Sequence, residues 1–155
     1  MKRYLGTPFH CIGGLAQIPS PSAFHRVQTD GFFDKRYKGR VAAIIYTPTH
    51  HIDQTWAGPI RTISSTETDW ASVAIGLRMA LEFNHRHLGI ENNNLEIIRS
   101  LIFHKEFKAK AKAKQNQEYA RYYFHDIMKS AAQTEWTGVR WIPRGLNQAD
   151  NLSHK

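Results

Sequence analysis

The pattern of apolar and polar positions along the chain predicts three strands in its first half. Residues 24–33, 40–47 and 55–64 are rich in β-branched and aromatic residues, and turn-forming residues separate them. The charged stretch 34–39 and the His- and Pro-containing stretch 48–53 are both short connections. Because short connections join antiparallel neighbours, we expect these three strands to form a meander.

A longer helical pattern follows the third strand. Between residues 70 and 88 the apolar positions recur at intervals of three, four and seven, which is one face of a helix, and Gly89 is suited to end it. After a turn at Asn92-Asn93-Asn94, residues 95–99 are interpreted as a short buried fourth strand. The handedness of crossover connections predicts that this strand lies parallel to an earlier one.

The last third of the chain predicts more helix and one more strand. Residues 101–132 are helical in pattern, with a break expected near residues 115–117 because so long a helix is unusual in a small domain. Residues 139–142 form a last short strand, and a helix starts after it at Asn147. We therefore predict an α/β fold, with a five-stranded mixed sheet whose first three strands are antiparallel and with helices on both faces.

Composition sets the size and number of domains. The chain has 155 residues, of which 41% are hydrophobic, so it can bury the core of one domain. Residues 1–23 contain several Pro and Gly and show no sustained periodicity, so we expect an irregular N-terminal extension followed by one domain over residues 24–155.

Charge and cysteine usage indicate the kind of partner. Lys and Arg total 21 against 13 Asp and Glu, and this net charge of +8 suits a polyanion such as nucleic acid. Cys11 is the single cysteine, so the chain forms no internal disulfide, which is compatible with a reducing compartment, and we expect a cytoplasmic protein. We also expect a monomer. No run of about 18 apolar residues is present, so we expect no transmembrane helix. The charge by itself suits an anionic membrane as well as nucleic acid, and we expect nucleic acid and no membrane partner.

Three aspartates in separate segments are the best candidates for chemistry. Asp30 lies in the first strand within Thr29-Asp30-Gly31, Asp69 starts the helical pattern, and Asp150 ends the stretch Asn147-Gln148-Ala149-Asp150. Each has a plain structural explanation when taken singly: a turn residue, a favourable charge in the first turn of a helix, and a solvated helix residue. Their order along the chain is what favours a common site.

Four motifs in that order resemble the ribonuclease H family over about residues 24–155. They are Thr29-Asp30-Gly31, the strand pattern of residues 39–46, the "acid, aromatic, x, small, apolar" start of residues 69–77, and residues 139–150 with their Pro, Arg, Asn and Ala-Asp. The resemblance implies a ribonuclease H-like fold and metal-dependent cleavage of the RNA strand of RNA/DNA hybrids. Two alternatives stay open: a non-catalytic nucleic-acid-binding module, and a related nuclease that acts on DNA junctions or strand ends.

The resemblance also implies roles for the three aspartates as catalytic residues and ligands of Mg²⁺ or Mn²⁺. Two divalent ions can clamp the attacking and the leaving oxygens of a phosphodiester, and such hard ions prefer carboxylate ligands. Asp30 would be shared by both ions, Asp150 would hold the ion that activates water, and Asp69 would hold the ion on the leaving side.

The sequence departs from the family pattern at two places. At the end of the predicted fourth strand the family has an aspartate before a serine, and here Arg99 and Ser100 stand there, so we predict that they modify the site. Arg99 would either weaken metal binding and leave a binding-only module, or supply positive charge beside the phosphate. The loop before the last helix has Arg144 and lacks the histidine of many relatives, for which His154 at the chain end is a poor substitute.

Basic residues supply candidate contacts to a nucleic-acid backbone. The candidates are Lys108, Lys110, Lys112, Lys114, Arg144 and Asn147. Lysines two apart spread around a helix, so a solvated basic helix without a special role is the alternative. The nine histidines show no metal-ligand spacing, and His50, His51, His85 and His87 are interpreted as turn or surface residues.

Overall fold

The fold is a mixed six-stranded sheet with helices on both faces. The structure is a computed structural model that describes residues 9–12, 22–36, 38–103 and 118–154. The elements in chain order are β1 (His10–Cys11), β2 (His25–Asp34), β3 (Lys38–Tyr46), β4 (Ile52–Ile60), α1 (Ser65–Glu82), β5 (His87–Asn92), α2 (Leu95–Ile102), α3 (Glu118–Ala131), β6 (Trp136–Trp141), a 3₁₀ turn (Arg144–Leu146) and α4 (Ala149–Ser153). The strands lie in the order β1-β6-β5-β2-β3-β4.

The predicted α/β class and antiparallel meander are confirmed. β2 pairs antiparallel with β3, and β3 pairs antiparallel with β4. β5 lies parallel to β2 and to β6. The sheet has six strands where five were expected, because residues in the predicted N-terminal extension form β1, which pairs antiparallel with β6. Phe9, just before β1, is 3% exposed, so hydrophobic burial holds this short strand in place.

The two faces of the sheet have separate apolar clusters. On one face α1, α2 and α3 share with the strands a cluster that includes Val27, Leu77, Ile90 and Phe124. On the other face the short α4 covers β2 and β3 through a smaller cluster around Ala42, Ile44, Tyr46 and Ala149. Asp150 on α4 and Asp69 on α1 therefore approach the middle of the sheet from opposite sides.

The predicted fourth strand is wrong in position. Residues 95–99 belong to the helix α2. The fourth large strand is β5, whose first residues were predicted to be the end of the first helix, which instead ends at Glu82. The side chain of Asn94 caps α2 by accepting hydrogen bonds from the backbone N–H groups of Glu96 and Ile97. Ile97, Ile98 and Leu101 are buried and lie on one face of this helix. In so short an apolar run, the same spacing is also compatible with a buried strand.

The other boundaries differ by a few residues from their predictions. β4 begins three residues earlier than expected, at Ile52, and β6 also begins three residues earlier, at Trp136. α3 confirms helix over residues 118–131, whereas the expected break near residues 115–117 lies outside the described residues. Among the residues that the structure describes, no helix is long and apolar enough to cross a membrane.

Candidate active site

Asp30 lies in the middle of the sheet, on a strand with neighbours on both sides. β2 pairs with β3 opposite Asp30 and with β5 on the other edge, and the Asp30 side chain is 4% exposed. The hydroxyl of Ser153 on α4 donates a hydrogen bond of 2.8 Å to Oδ2 of Asp30. The carboxylate is therefore fixed by a residue 123 positions away in the sequence.

Asp69 reaches the same place from the start of the second turn of α1. The backbone N–H of Gly31 donates to Oδ1 of Asp69 at 3.2 Å, and Nδ2 of Asn94 donates to Oδ2 at 3.1 Å. Gly31 permits this approach because a Cβ atom there would lie 2.6 Å from the carbonyl carbon of Thr68, closer than real Cβ atoms come. The glycine after Asp30 thus brings α1 close to β2.

Asp150 completes the group from α4. Nε of Arg144 lies 3.3 Å from Oδ1 of Asp150, and Nε2 of His154 lies 3.2 Å from the same oxygen. Asp30, Asp150 and His154 can each offer one ligand atom, and those three atoms lie within 4.8 Å of one another. The structure thus brings the three predicted aspartates together and adds a histidine.

The crowding of the carboxylates changes their acidity. Burial is the main cause that raises the pKa of Asp30 to about 7; the Ser153 hydrogen bond opposes it, and the charges of Asp69 and Asp150 add to it. Burial also raises the pKa of Asp69 to about 6, against the hydrogen bonds from Asn94 and Gly31 and the charge of Arg144. The pocket therefore disfavours two adjacent negative charges when no cation is present.

Three asparagines occupy the end of the fourth large strand. β5 ends at Asn92, and Asn93 and Asn94 follow it. The β2–β5 register pairs Gln28 with Glu91, so continuing it by two residues brings Asn93 level with Asp30. The Oδ1 atom of Asn93 accepts a hydrogen bond of 2.8 Å from Asn147. Amides thus stand where the resemblance led us to expect an acid.

The prediction that Arg99 and Ser100 stand at this strand end is wrong. Both lie on α2, where Arg99 is exposed and the Ser100 hydroxyl donates to the backbone oxygen of Glu96. The misplaced strand explains the error, because it shifted the expected strand end by seven residues, from Asn92 to Arg99. An acid is still missing at the strand end, and an amide replaces it.

The predicted nucleic-acid contacts have different outcomes. The Arg144 side chain is 64% exposed beside Asp150, so it is available to a phosphate. Asn147 is 3% exposed and points inward, where its Nδ2 atom donates to the backbone oxygen of Thr29 and to Asn93. It was expected to contact nucleic acid, and instead it joins the segment before α4 to the sheet. Lys108, Lys110, Lys112 and Lys114 lie outside the described residues.

Two site residues were missed by the sequence analysis. Ser153 and His154 are three and four positions after Asp150, the spacing that places side chains on one face of a helix. His154 was set aside because it is near the chain end, yet its ring lies 4.2 Å from the ring of Phe32, centroid to centroid, and its Nε2 contacts Asp150. The helical spacing was the available signal.

Comparison with known proteins identifies the family and the fold. Residues 28–155 match the model of a family described as reverse transcriptase-like. No curated protein sequence matches the chain. Among solved structures, a ribonuclease H1 from the halophilic archaeon Halobacterium salinarum superposes with a TM-score of 0.72 at 13% identity, over 84% of this chain and 94% of that one. The N-terminal ribonuclease H domain of rv2228c from Mycobacterium tuberculosis gives 0.71 at 15% identity, over 85% and 91%.

A third similar structure contains nucleic acid. LC11-RNase H1, isolated from compost by a metagenomic approach, was solved in complex with an RNA/DNA hybrid. It superposes with a TM-score of 0.65 at 16% identity, over 84% of this chain and 94% of that one. At these identities the structures establish a shared fold, and the expected ribonuclease H-like architecture is confirmed.

Proposed function

The chain belongs to the reverse transcriptase-like family, whose fold is ribonuclease H-like, and we propose that it is a metal-dependent endonuclease acting on the RNA strand of RNA/DNA hybrids. One observation supports this most directly: Asp30, Asp69 and Asp150, from three distant segments, converge at the centre of the sheet. Crowding buried carboxylates raises their pKa values, and groups with such perturbed pKa values cluster at functional sites.

The donor set fits a hard divalent ion. The site offers carboxylate oxygens from Asp30 and Asp150 within reach of one ion, and Mg²⁺ is commonly held by one or two carboxylates with the remaining positions left to water and phosphate. The raised pKa values of Asp30 and Asp69 are what uncompensated carboxylates show without a cation. A bound ion would activate water and stabilise the phosphate oxygens.

The surrounding residues position these carboxylates. Ser153 holds Asp30, while Gly31 and Asn94 together hold Asp69, so two of the three aspartates have a fixed orientation. His154 lies against Asp150 at the exposed side of the site, where a neutral ring can accept a proton or a protonated ring can donate one. Arg144 is the exposed cation at the site entrance and can pair with a phosphate.

Hybrid preference is proposed from similarity. LC11-RNase H1 was solved with an RNA/DNA hybrid, and so was a foamy viral protease-reverse transcriptase, of which this chain matches 22% with a TM-score of 0.66. The net charge of +8 suits any nucleic acid, so it does not by itself select a hybrid. Recognition of 2′-hydroxyl groups on one strand would supply the preference.

A nucleic-acid-binding module without catalysis is the second candidate. The specific observations in its favour are Asn93, an amide at the strand end level with Asp30, and Arg144, which pairs with Asp150. An amide is a weaker ligand for a divalent ion than a carboxylate, because it lacks the negative charge. We therefore propose that cleavage is attenuated by Asn93 and is not abolished.

The test is cleavage of a labelled RNA/DNA hybrid in Mg²⁺ and in Mn²⁺, with duplex DNA and duplex RNA as substrate controls. We expect hybrid-specific cleavage that Asp30→Asn abolishes. We expect Asn93→Asp to increase the rate by about tenfold or more, since even indirect partners of metal ligands change activity by about that factor. Arg99→Asp is the control, because it also makes the charge more negative, by two units where Asn93→Asp changes it by one, on the exposed face of α2.

The outcomes separate the two candidates. Salt-sensitive hybrid binding without cleavage, in both the wild-type chain and Asn93→Asp, would establish the binding module. Cleavage that persists in Asp30→Asn would show that the aspartates are not the catalytic group. An equal gain from Arg99→Asp and Asn93→Asp would mean that added charge, and not the position of Asn93, changes the rate.

A further inference from the structure

A second cluster of metal-ligating residues lies away from the acid site. His25 begins β2, Asp53 lies in β4, and His85 follows α1. Asp30 comes five residues after His25 on the same strand, a separation of about 16 Å at the rise of a β-strand. The two clusters are therefore distinct.

A bulge in β4 explains how Asp53 reaches the histidines. Gln54 pairs with Ile45 and Ile52 pairs with Tyr46, so Asp53 is an extra residue without a partner in the ladder. A bulge of this kind places two successive side chains on the same face and re-aims the extra one. Asp53 and Gln54 can therefore both face the side of the sheet that α1 covers.

The three side chains are in contact. Nε2 of His85 lies 3.0 Å from Oδ2 of Asp53, and the rings of His25 and His85 are stacked, with centroids 3.6 Å apart and planes 16° from parallel. One ligand atom from each of the three residues lies within 4.8 Å of the other two. The His85 side chain is 16% exposed and that of Asp53 is 32% exposed, so an ion can reach them from solvent.

We propose that His25, Asp53 and His85 bind one transition-metal ion of the Zn²⁺ type. Two imidazole nitrogens and one carboxylate oxygen are a donor set that suits Zn²⁺ and disfavours Mg²⁺, which prefers oxygen ligands only. Three protein ligands leave a fourth tetrahedral position for water or another small ligand. The sequence analysis interpreted His85 as a turn or surface residue and did not single out His25, because Asp53 follows His25 by 28 residues and His85 follows Asp53 by 32, and such distances form no metal motif.

The geometry needs only local adjustment to hold an ion. Ligand atoms around a tetrahedral Zn²⁺ lie about 3.3 Å apart when the bonds are about 2.0–2.1 Å long. The three ligand atoms lie within 4.8 Å of one another in the structure. Side-chain rotation can bring them to the shorter distance, since two of the three side chains are partly exposed. The stacked rings would turn so that one nitrogen of each faces the ion.

The site would join three parts of the fold. His25 lies at the start of the central strand, Asp53 lies in the edge strand, and His85 lies in the connection between α1 and β5. An ion that binds the folded chain and not the unfolded one stabilises the fold by mass action. At a free Zn²⁺ concentration a hundred times the dissociation constant, we expect the thermal midpoint to rise by about 5 °C or more.

The experiment is a calorimetric titration of the chelator-treated full chain with Zn²⁺ alone, followed by Co²⁺ absorption spectroscopy. Because the acid site could also take Zn²⁺, the titration is repeated in Asp30→Asn. Asp53→Asn and His85→Gln test the proposed ligands, and His51→Gln, an exposed histidine one residue before β4, is the matched control. Far-ultraviolet circular dichroism verifies that each variant is folded.

We expect one equivalent of Zn²⁺ that persists in Asp30→Asn and in His51→Gln and whose affinity falls at least about tenfold in Asp53→Asn and in His85→Gln. Co²⁺ in Asp30→Asn should give the strong visible absorption of four-coordinate nitrogen and oxygen ligation. The proposal is overturned if Asp30→Asn binds no Zn²⁺, or if Asp53→Asn and His85→Gln, both folded, bind it as the wild-type chain does. Neither result depends on nuclease activity.

Discussion

The side chain of Asn94 joins Asp69 to the start of α2. Its Nδ2 atom donates to Oδ2 of Asp69 at 3.1 Å, while its Oδ1 atom accepts hydrogen bonds from the backbone N–H groups of Glu96 and Ile97. One amide therefore caps a helix and orients a carboxylate of the candidate site at the same time. The two roles can be separated by substitution.

Asn94→Ala removes the helix cap and the contact with Asp69. We expect the free energy of unfolding to fall by about 1–2 kcal/mol, in the range found for caps replaced by alanine. Asn94→Ser restores a capping hydroxyl but is too short to reach Asp69 in the same way. Urea denaturation should therefore show most of the stability recovered in Asn94→Ser. A loss of equal size in both variants would mean that the contact with Asp69, and not the cap, stabilises the fold.

Ser153→Ala should raise the pKa of Asp30 further. The Ser153 hydroxyl donates to Oδ2 of Asp30 and so favours the ionised carboxylate. Carbon-detected NMR titration of the aspartate carboxyl groups, in the presence of a chelator, measures this pKa directly. Ser100→Ala, which removes a hydroxyl on α2 that donates to a backbone oxygen, is the control and should leave the titration of Asp30 unchanged.

The acid cluster should make the protein less stable as the pH rises from about 4 to 8 without metal. The folded-state pKa values of Asp30 and Asp69, about 7 and about 6, lie above the ordinary aspartate value of 3.8, so the folded state holds these protons more tightly than the unfolded state. Their contribution is complete below about pH 4 and is lost as the pH rises through 6 and 7. Asp30→Asn should therefore stabilise the chain at pH 8 by about 1–2 kcal/mol and by less at pH 5.

Denaturant unfolding of both chains across this pH range, in a chelator, checks the prediction. The informative quantity is the difference in unfolding free energy between Asp30→Asn and the wild-type chain. A difference that does not change with pH would show that Asp30 titrates normally.

Arg144→Ala should weaken nucleic-acid binding with little effect on stability. The Arg144 side chain is 64% exposed, and an exposed ion pair contributes at most about 1 kcal/mol. If Arg144 contacts one phosphate, the slope of log affinity against log salt should fall by about one unit. Fluorescence anisotropy with a labelled hybrid measures both quantities. Arg99→Ala removes the same charge from α2 and serves as the control. An equal change in the salt slope in both variants would mean that net charge, and not a phosphate contact of Arg144, causes the effect.

Glu91→Gln should destabilise the fold strongly. Glu91 is 1% exposed, and its two carboxylate oxygens accept hydrogen bonds from Arg26 and from Arg140, which join β2, β5 and β6. Removing the negative charge leaves two buried guanidinium groups without their counter-ion, at a cost of about 3–5 kcal/mol. Glu135→Gln, in an ion pair with His87 where Glu135 is 71% exposed, should cost less than about 1 kcal/mol. Denaturant unfolding compares the two.

The sequence predicted the large features of the sheet because they follow from local patterns. β2 and β3 are long and apolar, with a short charged connection, and such a pair closes as an antiparallel hairpin. The fourth strand was misplaced for an equally local reason. β5 lies between β2 and β6 with both faces covered, so its sequence lacks the alternation that identifies a half-exposed strand, and the apolar residues of α2 were read in its place.

The sequence by itself determined which residues form the acid site, since Asp30, Asp69 and Asp150 stand in motifs whose types and order are visible in the chain. Only the tertiary structure decided what surrounds them. Asn93 lies level with Asp30 because of the register between two parallel strands, and Ser153 reaches Asp30 because α4 packs across the sheet. The meeting of His25, Asp53 and His85 depends in the same way on a bulge in β4. Such contacts join residues tens of positions apart, so they follow from packing and register and leave no periodic signal in the sequence.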